Sequence, residues 1–224
     1  ERRDRRRHAL APGRGVYQPT PFPDWNTLAT PAFEHWAAVT PFALRHRRQF
    51  RAPRSSVLHV RSFPYTLDYY EVKVLGSASA RRGSEDRDNS EESRIARFWY
   101  GSGSDWAPTT RAIVQERKLN LWQNARLFAL LAIGQADVTI SVFDSKYHYN
   151  FWRPVTAINW IHDGNFLTLP DTDWLPYLVT PPYPDYPCGV PMLAAAGTEV
   201  LRRFFRSDHV PYTVTGRFPA EKGL

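Results

Sequence analysis

Apolar side chains recur at three-to-four spacing through Leu121, Ala125, Phe128, Ala132, Ala136, Ile140, Phe143 and Tyr147, the period of one face of an α-helix. More apolar residues flank that stripe on both sides, which predicts a helix buried in the middle of a bundle. Upstream, Pro108 suits a helix first turn. A separate helix is predicted over "SEESRIARFWYG", with Ser90 as N-cap, Glu91 and Glu92 in its first turn and Gly101 as its stop. A last one runs from about Val190 to Phe205. Prolines at 19, 21, 23, 31 and 41 forbid a long helix near the start. That segment is expected to be extended coil lying on the core, pinned by Trp25, Phe33, Trp36 and Phe42. The polar stretch from Ser77 to Glu92 separates "TLDYYEVKVLG" from the Ser90 helix. These elements predict an all-α helical bundle with long Pro-rich connections.

The 224 residues suffice for one large domain or two small ones. With 42% hydrophobic and 14% aromatic residues the chain is globular despite 19 prolines and 12 glycines. Its net charge of +7 is uneven: Glu1 to His8 contributes +3 and Arg45 to Arg54 contributes +5. Residues 1–15 read as a basic disordered arm and residues 16–224 as the helical domain. No nucleic-acid motif accompanies the arginines, so they are read as solvated and nucleic acid is not expected as a partner. The single cysteine, Cys188, excludes an internal disulfide framework and a multi-cysteine zinc site. No uninterrupted apolar run approaches the ~18 residues of a membrane span, and a soluble protein is expected. The absence of an initial Met reads as a fragment or a processed form.

Candidate chemistry sits in "FDSKYHYNFWRPV". Seven helical residues rotate by two turns less ~20°, which would put Lys146 and Arg153 on one face. Pro154 biases Arg153 away from helical geometry, so a pocket can open at the helix end. Phe143, Tyr147, Phe151 and Trp152 imply burial, and buried cations need an anion. Arginine offers a planar donor fork to a tetrahedral oxyanion. Further on, "PPYPDYPCGVPML" leads through Cys188 and Gly189 into a helix start, whose unpaired N–H groups also favour an anion.

"KYHYNFWRP" resembles the Lys-x6-Arg-Pro signature of the superfamily that joins vanadium-dependent haloperoxidases to type 2 phosphatidic acid phosphatases. "PPYPDYPCGV" is similar to a degenerate Pro-Ser-Gly-His loop of the same superfamily. "VYQPTPFPDW" and "SRIARFWYG" resemble its soluble bacterial haloperoxidase-like branch, and the resemblance covers roughly residues 15–215. It implies a helical bundle of the haloperoxidase type, incomplete at its C-terminus, with vanadate, or phosphate in the same site, as the bound group. Lys146 and Arg153 would bind oxyanion oxygens, Gly189 would donate its N–H, and Cys188 stands at the serine position. Phe143 and Tyr183 would be pocket walls.

Two departures bear on activity. Val190 replaces the acid–base histidine, so no catalytic residue of that loop is intact, and the third motif, which carries the metal-binding histidine, would be expected beyond residue 224. The implied activity is halide oxidation by hydrogen peroxide, impaired in this chain. The alternatives are a soluble acid phosphatase acting on a phosphate ester and a non-catalytic phosphate-binding remnant. Arg203 and His209 mimic the third motif's spacing but read as helix C-terminal cations. His148 reads as packing, His35 and Trp36 as docking residues, and Asp144 and Asp185 either as partners that fix Lys146 or a neighbouring arginine or as surface carboxylates. A homodimer is compatible with this reading, which does not separate a bacterial cytoplasmic from an exported protein.

Overall fold

The computed structural model describes residues 13–21, 28–82, 84–101 and 105–214; Trp25 lies outside them. Among the described residues the fold is helical, with isolated bridges and no strands. Ser62 caps α1 (Phe63–Leu75), its hydroxyl accepting from Tyr65 N, with Pro64 in the first turn. The polar stretch expected as a connection holds two short helices, α2 (Ala78–Arg82) and α3 (Glu85–Asp88). Serine hydroxyls nucleate both: Ser77 accepts from Ala80 N and Ser84 from Arg87 N. The Ser90 helix is α4 (Glu91–Gly101), where the Ser90 hydroxyl accepts from Ser93 N. Asp105 caps α5 (Trp106–Arg117), which ends at Lys118 in a left-handed conformation. Reciprocal bonds between Asn120 and Gln123 then form a capping box, and α6 runs over Leu121–Tyr149. Short α7 (Pro154–Asn159) and long α8 (Gly189–Phe205) follow.

The chain divides into two compact units. One comprises Glu1–Glu34, Ala52–Asp88 and Ser145–Pro187, around a core of Tyr65, Tyr69, Trp152, Ala157, Ile158 and Trp174. Its long loop after α7 is held by polar groups: the Asp163 carboxylate accepts from Asn165 N and Thr168 Oγ1, and Asn165 Nδ2 donates to Val60 O and Thr66 Oγ1. The other unit comprises His35–Arg51, Asn89–Asp144 and Cys188–Leu224, and its core is Trp106, Ile113, Leu127, Leu131 and Leu201.

Three expectations are corrected. Helix α6 is not buried along its length: Leu121 and Trp122 are 76% and 83% exposed, and full burial is confined to Ile140–Lys146 and single positions before it. Leu127 and Leu131 alone enter the core of the first half, because one stripe suffices to meet α5 and α8 there. Second, α6 is long and apolar enough to cross a membrane, since Thr139, Ser141 and Ser145 interrupt the apolar run without adding charge. Its buried stretch carries Asp144 and Lys146 on protein partners, as a core helix does. Third, Phe33 and Phe42 do not pin the proline-rich coil, being 46% and 72% exposed. Polar anchors do so instead. In the second unit the buried Asp137 carboxylate accepts from the N–H groups of Phe42, Ala43 and Leu44. In the first, Ala32 N donates to Pro182 O, and Tyr147 Oη donates to Ala32 O.

Candidate functional site

Lys146 occupies the last turn of α6 and is 2% exposed. Its Nζ donates to Pro184 O at 2.9 Å and Asp185 O at 2.6 Å. Arg153 does not share a helical face with it. The helix stops at Tyr149, Asn150 turns left-handed at φ 48°, and Arg153 has an extended backbone as N-cap of α7. Asparagine tolerates that conformation, and Pro154 then locks the first turn of α7. The cations are brought together by the loop they both grip. Arg153 Nε donates to Tyr183 O at 2.6 Å and Nη1 to Asp185 Oδ1 at 2.8 Å. Both head groups stand over the Tyr183 ring, Lys146 Nζ at 5.1 Å and Arg153 Cζ at 4.7 Å from its centroid. Arg153 Nη2 is buried and has no hydrogen-bond partner.

Around this pair the unit holds a further polar atom that sequence reasoning missed. The Tyr17 hydroxyl is buried and unpartnered; burial raises its pKa to about 12 while the Arg153 cation holds it down. It is therefore a protonated donor at neutral pH. Nothing in "GVYQP" distinguishes this tyrosine from a core aromatic. The Tyr147 pKa is also raised, by burial first and then by Tyr17 and Glu34. Asp185 also lines a mainly apolar cavity of about 110 Å3, together with Tyr65, Tyr69, Phe151, Trp152 and Pro154 among others. Among the described residues no cluster of His, Cys, Asp or Glu could hold a metal ion; the donors gathered here are cationic and suit an oxyanion.

The remaining predicted site residues belong to the second unit. Cys188 is an exposed free thiol and the N-cap of α8, without a side-chain capping bond. Gly189 opens the helix; a Cβ there would sit 3.4 Å from Val142 Cγ1, an ordinary contact. Val190 follows in the first turn, and Phe143 is buried in α6. Asp144 binds arginines and not a lysine: Arg51 donates Nε at 2.8 Å and Nη2 at 2.5 Å, and Arg47 Nε lies at 3.0 Å. The segment Arg45–Arg54, read as solvated, is thus partly tied to a buried carboxylate. Asp185 likewise fixes an arginine, Arg153. Arg203 pairs with Glu199 near the end of α8 and His209 is exposed, in keeping with helix-end cations. Arg202 and Arg203, by donating to Glu199, hold its pKa down at about 2. His148 is exposed and edge-on to Tyr149, not packed inside, and His35 stacks loosely on Trp36 at 6.0 Å.

Comparison with known proteins places these features. The model of the VCPO second helical-bundle domain matches residues 126–223. The vanadium chloroperoxidase of Curvularia inaequalis is 32% identical over 90 residues, 36% of this chain and 14% of that protein. Among solved structures, a bacterial vanadium-dependent iodoperoxidase superposes with a TM-score of 0.68 at 30% identity, over 88% of this chain and 47% of its own. A holo bacterial vanadium-dependent chloroperoxidase shares the fold, with a TM-score of 0.66 at 16% identity over 90% of this chain and 47% of its own. The chain thus spans about half the length of these solved structures. Sequence and fold agree in what they resemble, and together they support a place for the chain in the superfamily of vanadium-dependent haloperoxidases and type 2 phosphatidic acid phosphatases.

Proposed function

We propose that Lys146 and Arg153 hold a vanadate-type oxyanion and that the protein is a vanadate-dependent haloperoxidase, oxidising halide with hydrogen peroxide. One observation carries the reading: Arg153 Nη2 is buried without a partner in the unit where Lys146 is also buried. Leaving a buried donor unmade costs ~1–3 kcal/mol, and more for a charged group. A tetrahedral oxyanion relieves that cost, and the one carboxylate that pairs with Arg153, that of Asp185, is itself half-exposed. In this site Asp185 and the Tyr183 carbonyl aim the guanidinium, and the Tyr183 ring backs both cations. Vanadate, when bound, supplies the centre that activates peroxide toward halide. Cys188 and Gly189 enter through the sequence resemblance alone.

Val190 favours a second reading, oxyanion binding with impaired turnover. An isopropyl group moves no proton, and general acid–base help is commonly worth ~10²–10⁴-fold.

Calorimetric titration with orthovanadate, with phosphate as competitor, tests the proposal. Binding is expected in the wild type, lost in Lys146→Ala/Arg153→Ala, and at least about tenfold weaker in Arg153→Lys, which keeps the charge but lacks Nη2. Folded wild type that binds neither anion would sink it. Peroxide-dependent bromide oxidation and phosphate-ester hydrolysis by the loaded protein then separate haloperoxidase from phosphatase.

A further inference from the structure

A second cationic site lies in the first unit, formed by residues that the oxyanion cradle does not use. Arg14, Arg54 and Arg61 line one polar cleft of about 460 Å3, with His59 and His148 among its walls and no acidic residue in its lining. Two of the arginines are pressed together. A Cβ built on Gly164 would lie 2.1 Å from Arg14 Nη1 and 3.2 Å from Arg61 Nη2, so those nitrogens can be no farther apart than the sum of the two distances. Gly164 sits at φ 80°, a conformation that L side chains rarely adopt, and its bare Cα is what lets Arg14 cross it. Among the described residues neither guanidinium forms an ion pair, nor does that of Arg54. Elsewhere the fold neutralises its arginines where they approach buried ground, Arg47 and Arg51 on Asp144 and Arg153 on Asp185.

Like charges this close repel, and a cleft lined by one sign of charge concentrates counter-ions. We propose that this cleft binds a polyvalent phosphate-type anion, with Arg14 and Arg61 acting as a double fork on one phosphoryl group and Arg54 on the next. Arginine's planar donors match phosphate oxygens two at a time. A monovalent halide balances one of three charges and fills little of the volume, so the occupant carries several negative charges. The walls supplied by Tyr149 and Phe151 are aromatic, which suits a phosphorylated molecule with a ring beside its phosphates.

Isothermal titration at low salt tests this with two probes, inorganic pyrophosphate and adenosine diphosphate, on the wild type, Arg54→Gln/Arg61→Gln and Arg153→Lys. The exposed positions of Arg54 and Arg61 mean that the Gln variant should keep the wild-type circular dichroism; Arg61→Gln alone serves should the pair not fold. Expected is binding of both probes by the wild type, weakened at least about tenfold in the Gln variant, retained in Arg153→Lys, and falling steeply with added salt. Tighter binding of the nucleotide assigns the aromatic walls to its ring; equal binding assigns the site to the phosphates alone. The proposal is overturned if neither probe binds, if the Gln variant binds as the wild type does, or if Arg153→Lys alone removes binding, which would place the anion in the Lys146 cradle.

Discussion

Arg153 commits two nitrogens to protein acceptors and leaves the third buried and unmatched. Asp185 therefore has two opposed effects on an anion held there: its Oδ1 fixes the guanidinium, and its negative charge repels the ligand. Substitution separates them. Asp185→Asn keeps an acceptor at the 2.8 Å position and removes the charge. At ~4 Å in a solvent-exposed setting one unit charge is worth ~1 kcal/mol, so orthovanadate affinity should rise severalfold in the Asn variant. Asp185→Ala loses the orientation as well, and its affinity should fall below that of Asn. Calorimetry on the two variants decides the matter: a loss in Asn as large as in Ala would mean that the ion pair, not the hydrogen bond, holds Arg153 in place.

Helices α6 and α8 were legible because their periodicity reflects how they pack, and so was the break before Pro154. What periodicity does not report is which stretch of a uniformly apolar helix meets a partner, so the exposure of Leu121 and Trp122 was not foreseen. Nor does it show that Asp137 and Asp144, seven residues apart on α6, would capture the Phe42–Arg51 segment through backbone N–H groups and guanidiniums; two acids in an apolar run were the only signal. Gly197 is a further case. Within "AAAGTEV" it looks like a weak helix position, ~1 kcal/mol worse than Ala. In the fold its missing Cβ makes room for a ring: a Cβ would lie 2.3 Å from Trp106 Cζ2. Gly197→Ala should thus destabilise the protein by ~1–3 kcal/mol net, as overpacked cores do, measured by urea unfolding. Trp106→Phe in the same chain should recover part of the loss. A stabilised Gly197→Ala would mean that propensity outweighs the contact.

For the whole molecule, charge was legible as a total and not as an arrangement. Behind the +7 of the sequence, the described residues hold arginines neutralised on Asp144 and Asp185, a cluster in the Arg14 cleft without ion pairs among those residues, and buried Lys146 donating to carbonyls. The Lys-x6-Arg spacing named the cradle's cations, but it could not name Tyr183, whose backbone and ring join them, as more than a pocket wall. Because that cradle is assembled from α6, the start of α7 and the loop at 183–185, which are far apart in sequence, it exists only in the folded chain. An anion bound there must then stabilise the folded state by mass action, ~2.7 kcal/mol at a hundredfold excess over Kd. For a protein of this size each kcal/mol corresponds to a Tm shift of ~2–4 °C, so saturating orthovanadate should raise Tm by about 5–10 °C in a thermal scan. The same addition should leave the Tm of Arg153→Lys nearly unchanged. An equal shift in the variant would show that vanadate stabilises the fold from somewhere other than the Lys146–Arg153 pair.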